Sequence, residues 1–315
     1  MAKAFIFPGQ GSQKVGMASV FINGFQAGMR VIEEIEDAIS FNISKLMSEG
    51  PIEELTKTEN AQPAIFATGM ACVAILEREY GYELSKTAKY LAGHSLGEYT
   101  ALCTAGAFSI TDAARLVRIR GELMTSACPD CENYSMVALL GVGAEVIEEL
   151  VERYQSGRHI CVIANDNSAS QVVISGHKRV VMAVCEAAKH RGVVKAIELN
   201  TSGPFHSPLM SQAAIEFDKV LLSIDNYYDC KIPVVMNSTA FPLIQKDDIY
   251  NHLIMQMTGR VRWRQTIEFL MNDDEIDELV EIAPGRTLST MIKRSYDGAR
   301  VRNLETVAQI QEFAQ

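Results

Sequence analysis

The sequence has no apolar run of the ~18 residues that a membrane-spanning helix needs. It has no excess of basic charge either. The formal net charge is −10, which disfavours nucleic acid or an anionic membrane as the main partner while leaving room for a local basic patch. The seven cysteines are odd in number and scattered, not grouped as a disulfide framework, which fits a reducing cytoplasm as the expected location. The opening stretch "MAKAFIFPGQGSQ" lacks the basic and long apolar regions of a signal peptide and reads as a first strand. Internal repeats, low-complexity tracts and long linkers are missing as well. What remains is a chain of 315 residues, 48% apolar and 22% charged, ordinary for a soluble globular protein and long enough for one large domain or two modest ones.

Short apolar runs alternate with helical patterns. "KAFIFPGQGSQ" places a strand at Ala4–Phe7 before a Pro-Gly loop. "QPAIFATGMACVAILEREYG" reads as a buried helix, and "AKYLAG" as a strand ending at Gly93, followed by a helix from about Leu96 to Ala105. "TDAARLVRIRGELMTSA" is an amphipathic helix with Thr111 as its expected N-cap. Strand alternating with helix predicts a parallel sheet flanked by helices. The middle of the chain has the order β-α-β-β-α-β: Met136–Leu140, Ala144–Tyr154, Ile160–Ala164, Gln171–Ser175, Lys178–Arg191 and Val193–Leu199, with "NDNSAS" as the turn of the central hairpin. This is the order of a ferredoxin-like unit. The expected fold class is therefore α/β, a large parallel-sheet domain of residues 1–134 and 200–315 with a small inserted subdomain of residues 135–199.

"GHSLG", between a strand and a helix, has the form of a nucleophile elbow. The turn is too tight for side chains at Gly93 and Gly97. Ser95 stands at a helix N-terminus, where free N–H groups favour an oxyanion, and the amide of Leu96 is the natural donor. The bland alternative is a serine that merely caps a helix. A serine nucleophile needs a base. His94 adjoins Ser95 and should point away, packing under the elbow. His159, His177, His190 and His252 lie in or beside polar segments. His206 sits in "SGPFHSPLM", a proline-pinned loop where the chain returns from the small domain to the large one, and such junctions form clefts. On the helix after the elbow, Ala113, Leu116, Val117, Leu123, Met124 and Ala127 share a face. Arg115, Arg118 and Glu122 lie opposite. Arg120 falls inside the apolar face, where a guanidinium needs either a buried acidic partner or a substrate carboxylate. The residues alone leave both open.

"FPGQGSQ", "GHSLGEYTAL", the "RG" at Arg120, "PFH", "VRW" and "EIAPG", in this order, resemble malonyl-CoA:acyl-carrier-protein transacylases over nearly the whole chain. The resemblance implies a hydrolase-like large domain with a ferredoxin-like subdomain. It implies Ser95 as the acylated nucleophile and His206 as the base, oriented by a backbone carbonyl. Gln10 and Leu96 would form the oxyanion hole, and Arg120 would bind the malonyl carboxylate. Asn165 or Asn167 would lie near the site. Leu96 and Phe205 resemble the malonyl-selecting version of the family. Two positions depart from its pattern: Ala283 stands where glycine is common, and Arg262 where some members have glutamine.

The implied chemistry is ping-pong transfer of malonyl from coenzyme A, through a Ser95 ester, to the pantetheine thiol of an acyl carrier protein, in fatty-acid or polyketide synthesis. Coenzyme A is then a substrate; no metal or redox cofactor is implied. A monomer is expected. Carrier proteins of this kind are usually acidic, as this chain is, so the contact must be local: Lys189, His190, Arg191 and Lys195, and Lys293, Arg294, Arg300 and Arg302, are the candidates, a solvated charged face being the plain alternative for either. A serine acyl hydrolase would share Ser95 and His206 without needing Arg120. A carrier-protein binder without catalysis would need none of the three. "GQGSQKVG" lacks the glycine spacing of a dinucleotide loop and the Lys-Ser/Thr of a P-loop. "CPDC" (Cys128, Cys131) lacks the second ligand pair of a zinc site and reads as two free thiols.

Overall fold

A computed structural model describes residues 2–315. The strands, numbered in chain order, are β1 (Ala2–Phe7), β2 (Ala88–Gly93), β3 (Tyr134–Leu140), β4 (Cys161–Ser168), β5 (Gln171–His177), β6 (Lys195–Glu198), β7 (Val234–Val235), β8 (Pro242–Leu243), β9 (Ile276–Ile282) and β10 (Val301–Leu304). Six of them form one sheet in the order β10-β9-β1-β2-β7-β8, parallel except for the edge strand β8.

β1 shows why the central strands read as unbroken apolar runs. Phe5 and Phe7 enter the core under the helix Thr58–Ala74, and Ala4 and Ile6 enter a second core with Trp263, Ile267 and Leu288. A strand covered on both faces has no solvent side on which to place polar residues. The helix Thr58–Ala74 is buried along its length. It starts earlier than the sequence suggests and contains Pro63, burial outweighing the hydrogen bond that proline cannot make. The arginine helix, Ile110–Ser126, is capped by Ser109, whose hydroxyl accepts from the Asp112 N–H. Thr111, the expected cap, lies inside and donates instead to Glu34.

The other four strands form an antiparallel sheet, β4-β5-β3-β6, with the helices Ala144–Tyr154 and Lys178–Ala188 on one face. The period of two decides what each side chain touches. Val137, Leu139, Ile163, Val172 and Ile174 pack on the unit's own helices, whereas Met136, Ala138, Ala164 and Val173 join the large core. β4 runs on through Asn165–Ser168, so the hairpin turn is only Ala169–Ser170, not the whole of "NDNSAS". The extension has a cause: Val261, from the large sheet's side, donates to Ala164 O and accepts from Asp166 N at 2.8 and 2.9 Å, giving the polar residues a backbone partner. Arg264 adds a bidentate pair to Asp166 at 3.0 Å across the same seam.

Phe7 and Gly93 are register partners at the carboxyl ends of β1 and β2. The loops leaving these ends therefore meet, as ligand-binding loops of parallel sheets do.

Candidate functional site

The turn after β2 is sharp. Ser95 has φ +51°, one of four non-glycine residues in the left-handed region among the described residues; His206, at +55°, is another. Such backbone is costly and persists where surrounding bonds impose it. Here Asn237 imposes it. Its side chain accepts from the Ser95 N–H at 2.7 Å and donates to the Gly93 carbonyl at 2.6 Å. The flanking glycines are obligatory: a Cβ at Gly93 would lie 1.9 Å from the Gly97 carbonyl carbon, and one at Gly97 would lie 2.1 Å from the Phe7 oxygen.

Ser95 Oγ lies 2.7 Å from His206 Nε2, and His206 Nδ1 lies 2.8 Å from the main-chain carbonyl of Gln256. A carbonyl only accepts, so Nδ1 carries the proton and Nε2 is free to accept from the hydroxyl. The orienting group is thus a backbone carbonyl, and it belongs to Gln256. Arg262 does not reach the histidine: its N–H donates to Asn237 O and its guanidinium to Ser238 O and Gln265. Burial, and next the Arg120 charge, hold the His206 imidazole down at about 3, so it is neutral and ready to take a proton.

Arg120 is 1% exposed. Its Nη1 donates to Gln62 Oε1 at 2.7 Å, and its Nη2 to Gln256 Oε1 at 3.0 Å and Ser95 Oγ at 3.3 Å. Tyr99 lies beneath it, 5.3 Å from ring centre to guanidinium, and its Nε has no partner. These contacts are all uncharged, and burial pushes its pKa down. A cation fixed by neutral acceptors keeps its charge for an incoming anion. Glu98 stands behind, fully buried. Its carboxyl is pushed up to about 8 by burial, against the pull of the Asn237 N–H, Arg120 and Gln256.

Ser95, His206 and Arg120 line one cavity of about 280 Å3 with Gln10, Leu96 and Asn165. The backbone N–H groups of Gln10 and Leu96 donate to no other group among the described residues. The Gln10 side chain is tied to Thr58, which fixes the loop that carries its amide. The two asparagines separate here. Asn165 lines the cavity, whereas Asn167 accepts from His94 at 2.8 Å. His94 itself packs against Trp263 under the elbow. Cys128 is buried beside Gly203 and Cys131 is exposed; both are free.

Four buried residues of this site are absent from the sequence reading: Gln62, Glu98, Asn237 and Gln256. Gln62 and Gln256 are polar residues with apolar chain neighbours, as in "LIMQM" around Gln256, a mismatch that hints at them, whereas Glu98 and Asn237, in "GEYT" and "MNST", carry no such local signal.

The acyl transferase domain family is matched over residues 4–312. The malonyl CoA-acyl carrier protein transacylase of Bacillus subtilis (strain 168) is 39% identical over 305 residues, covering 97% of this chain and 92% of that protein. The crystal structure of an acyl-carrier-protein-S-malonyltransferase from Bartonella henselae has a TM-score of 0.95 at 40% identity, covering 99% of this chain and 98% of that one. A malonyl-transacylase solved in complex with a type II PKS acyl-carrier protein has a TM-score of 0.92 at 33% identity, covering 99% and 98%.

Proposed function

The chain belongs to the acyl transferase family, and from that premise we propose that it moves a malonyl group from coenzyme A to the phosphopantetheine thiol of an acyl carrier protein. The observation that carries this reading is the convergence on one hydroxyl: Ser95 Oγ is 2.7 Å from a neutral imidazole and 3.3 Å from a buried guanidinium, inside a cavity.

Ser95 Oγ attacks the thioester carbonyl while its proton passes to His206 Nε2. The oxyanion meets the N–H groups of Gln10 and Leu96, a contribution of roughly 3–4 kcal/mol for one such donor. The C–S bond breaks, and the coenzyme A sulfur leaves with the proton from His206. The carrier thiol then attacks the malonyl ester, His206 again taking the proton, and Ser95 is regenerated. Arg120 holds the free malonyl carboxylate through both reactions, and Asn165 contacts the acyl group. Acetyl brings no anion, so the buried cation disfavours it. Coenzyme A enters as a thioester substrate, not as a resident group. Residues 1–134 and 200–315 carry Ser95, His206, Arg120 and the two amides as one domain, and residues 135–199 add Asn165 to the cleft wall as a subdomain.

A serine acyl hydrolase would use the same Ser95 and His206; nothing in water attack calls for a cation at Arg120. Intact-mass measurement after mixing with malonyl-CoA tests the proposal. The parent should gain one malonyl group and Ser95→Ala none; an adduct of equal yield on Ser95→Ala would refute the assignment.

A further inference from the structure

The side-chain amide of Gln256 has its orientation chosen for it. Its Nε2 donates to the main-chain carbonyl of Ser95 and to Glu98 Oε1, each at 2.9 Å. Its oxygen turns the other way, to Arg120 Nη2 at 3.0 Å. The two ends of an amide differ only in hydrogen-bonding sense, so the neighbours decide which faces where. The Ser95 carbonyl can only accept. In its ionised form Glu98 accepts on both sides: one oxygen takes the Gln256 amide and the other the backbone N–H of Asn237 at 2.5 Å. Glu98 is fully buried and does not line the cavity, so it acts through its neighbours.

From these contacts we propose that Glu98 is a positioning residue for acyl-group selection: its carboxylate holds the Gln256 amide with the oxygen toward Arg120, and thereby holds the guanidinium where it meets a substrate carboxylate. With the amide reversed, an NH2 group would face the cation, donor against donor, and Arg120 would lose one of its two amide acceptors. The inference rests on the reading above, in which Arg120 binds the malonyl carboxylate.

Glu98→Gln is the informative change because it keeps the volume. The Asn237 N–H belongs to the main chain and cannot reverse, so the new side chain turns its oxygen to it and its NH2 toward Gln256. Gln256 must then flip or lose the bond. The experiment is competitive acylation of Ser95 by malonyl-CoA and acetyl-CoA at pH 9, above the value of about 8 to which burial pushes the Glu98 carboxyl, read by intact mass, on the parent, Glu98→Gln, Arg120→Ala and the double variant. Glu98→Gln should lower the malonyl-to-acetyl ratio about tenfold or more, and the double variant should fall no lower than Arg120→Ala, as for two residues acting through one contact. A merely structural defect lowers both adducts together; a parental ratio in Glu98→Gln, or full additivity with Arg120→Ala, overturns the inference. A parental ratio in Arg120→Ala overturns the carboxylate reading itself, so the two failures are distinguishable. If Glu98→Gln does not fold, Gln256→Met, which keeps the main-chain carbonyl for His206, is read in the same assay. It should show the same fall, and a parental ratio there is equally fatal.

Discussion

A histidine with the ordinary pKa of 6.5 would be partly protonated, and useless as a base, in mildly acidic solution. Burial and the neighbouring Arg120 place His206 at about 3. The acylation rate should therefore show no inflection near 6.5, its acid limb being displaced toward 3. A pH profile of malonyl-adduct formation checks this, and an inflection near 6.5 contradicts it. The same shift has a sign for stability. Between 6.5 and 3 the unfolded chain binds a proton that the folded chain does not, so stability is complete above 6.5 and lost as the pH falls through that window. His206→Asn should show a shallower acid loss of stability in urea unfolding. Ser95, His206 and Arg120 were legible in the sequence because each is anomalous locally: a serine between glycines, a histidine between prolines, a cation on an apolar face. Their supports were not. Asn237 meets Ser95 across 142 residues and Gln62 meets Arg120 across 58, and neither pairing leaves a mark on local periodicity.

At the scale of elements, the elbow is a strand end and a helix start pressed together. The Gly97 Cα faces the Phe7 carbonyl, where a methyl group would sit 2.1 Å from the oxygen. Gly97→Ala should cost about 3 kcal/mol in unfolding free energy and abolish adduct formation, because β1 and the turn must part to admit it. Parental stability would show that the turn is looser than described. The alternation of strand and helix foretold this architecture. The extension of β4 through "NDNS" ran against its composition: polar residues read as a turn, yet the bonds to Val261 make them strand. Partners remote in sequence override local propensity there.

For the whole molecule, the cleft exists only while the two sheets stay joined. The seam combines apolar side chains such as Met136, Ala138, Ala164 and Val173 with the Val261 bonds, the His94–Asn167 bond and the Arg264–Asp166 pair, whose aspartate is 2% exposed. Arg264→Met should leave that carboxylate without its cation and cost about 2–3 kcal/mol, with a raised KM for malonyl-CoA, since Asn165 of the cleft wall lies beside Asp166. Unchanged KM and stability would remove the pair from the account. Surface charge matters at this scale too. In the first basic patch Lys189 and Arg191 are paired to Glu186 and Glu149, and in the second Arg302 is paired to Glu278, whereas Lys293 and Arg294 form no ion pair among the described residues. The net charge of −10 therefore leaves the helix Thr287–Ser295 as the more available face for an acidic partner.

Transfer and hydrolysis part at the second step, and a single-turnover experiment separates them. The enzyme is loaded with one malonyl group, freed of coenzyme A, and mixed with a holo acyl carrier protein, and both proteins are weighed. Malonyl should leave the enzyme and appear on the carrier in equal amount. Loss of malonyl as free malonate, with the carrier unmodified, would contradict it.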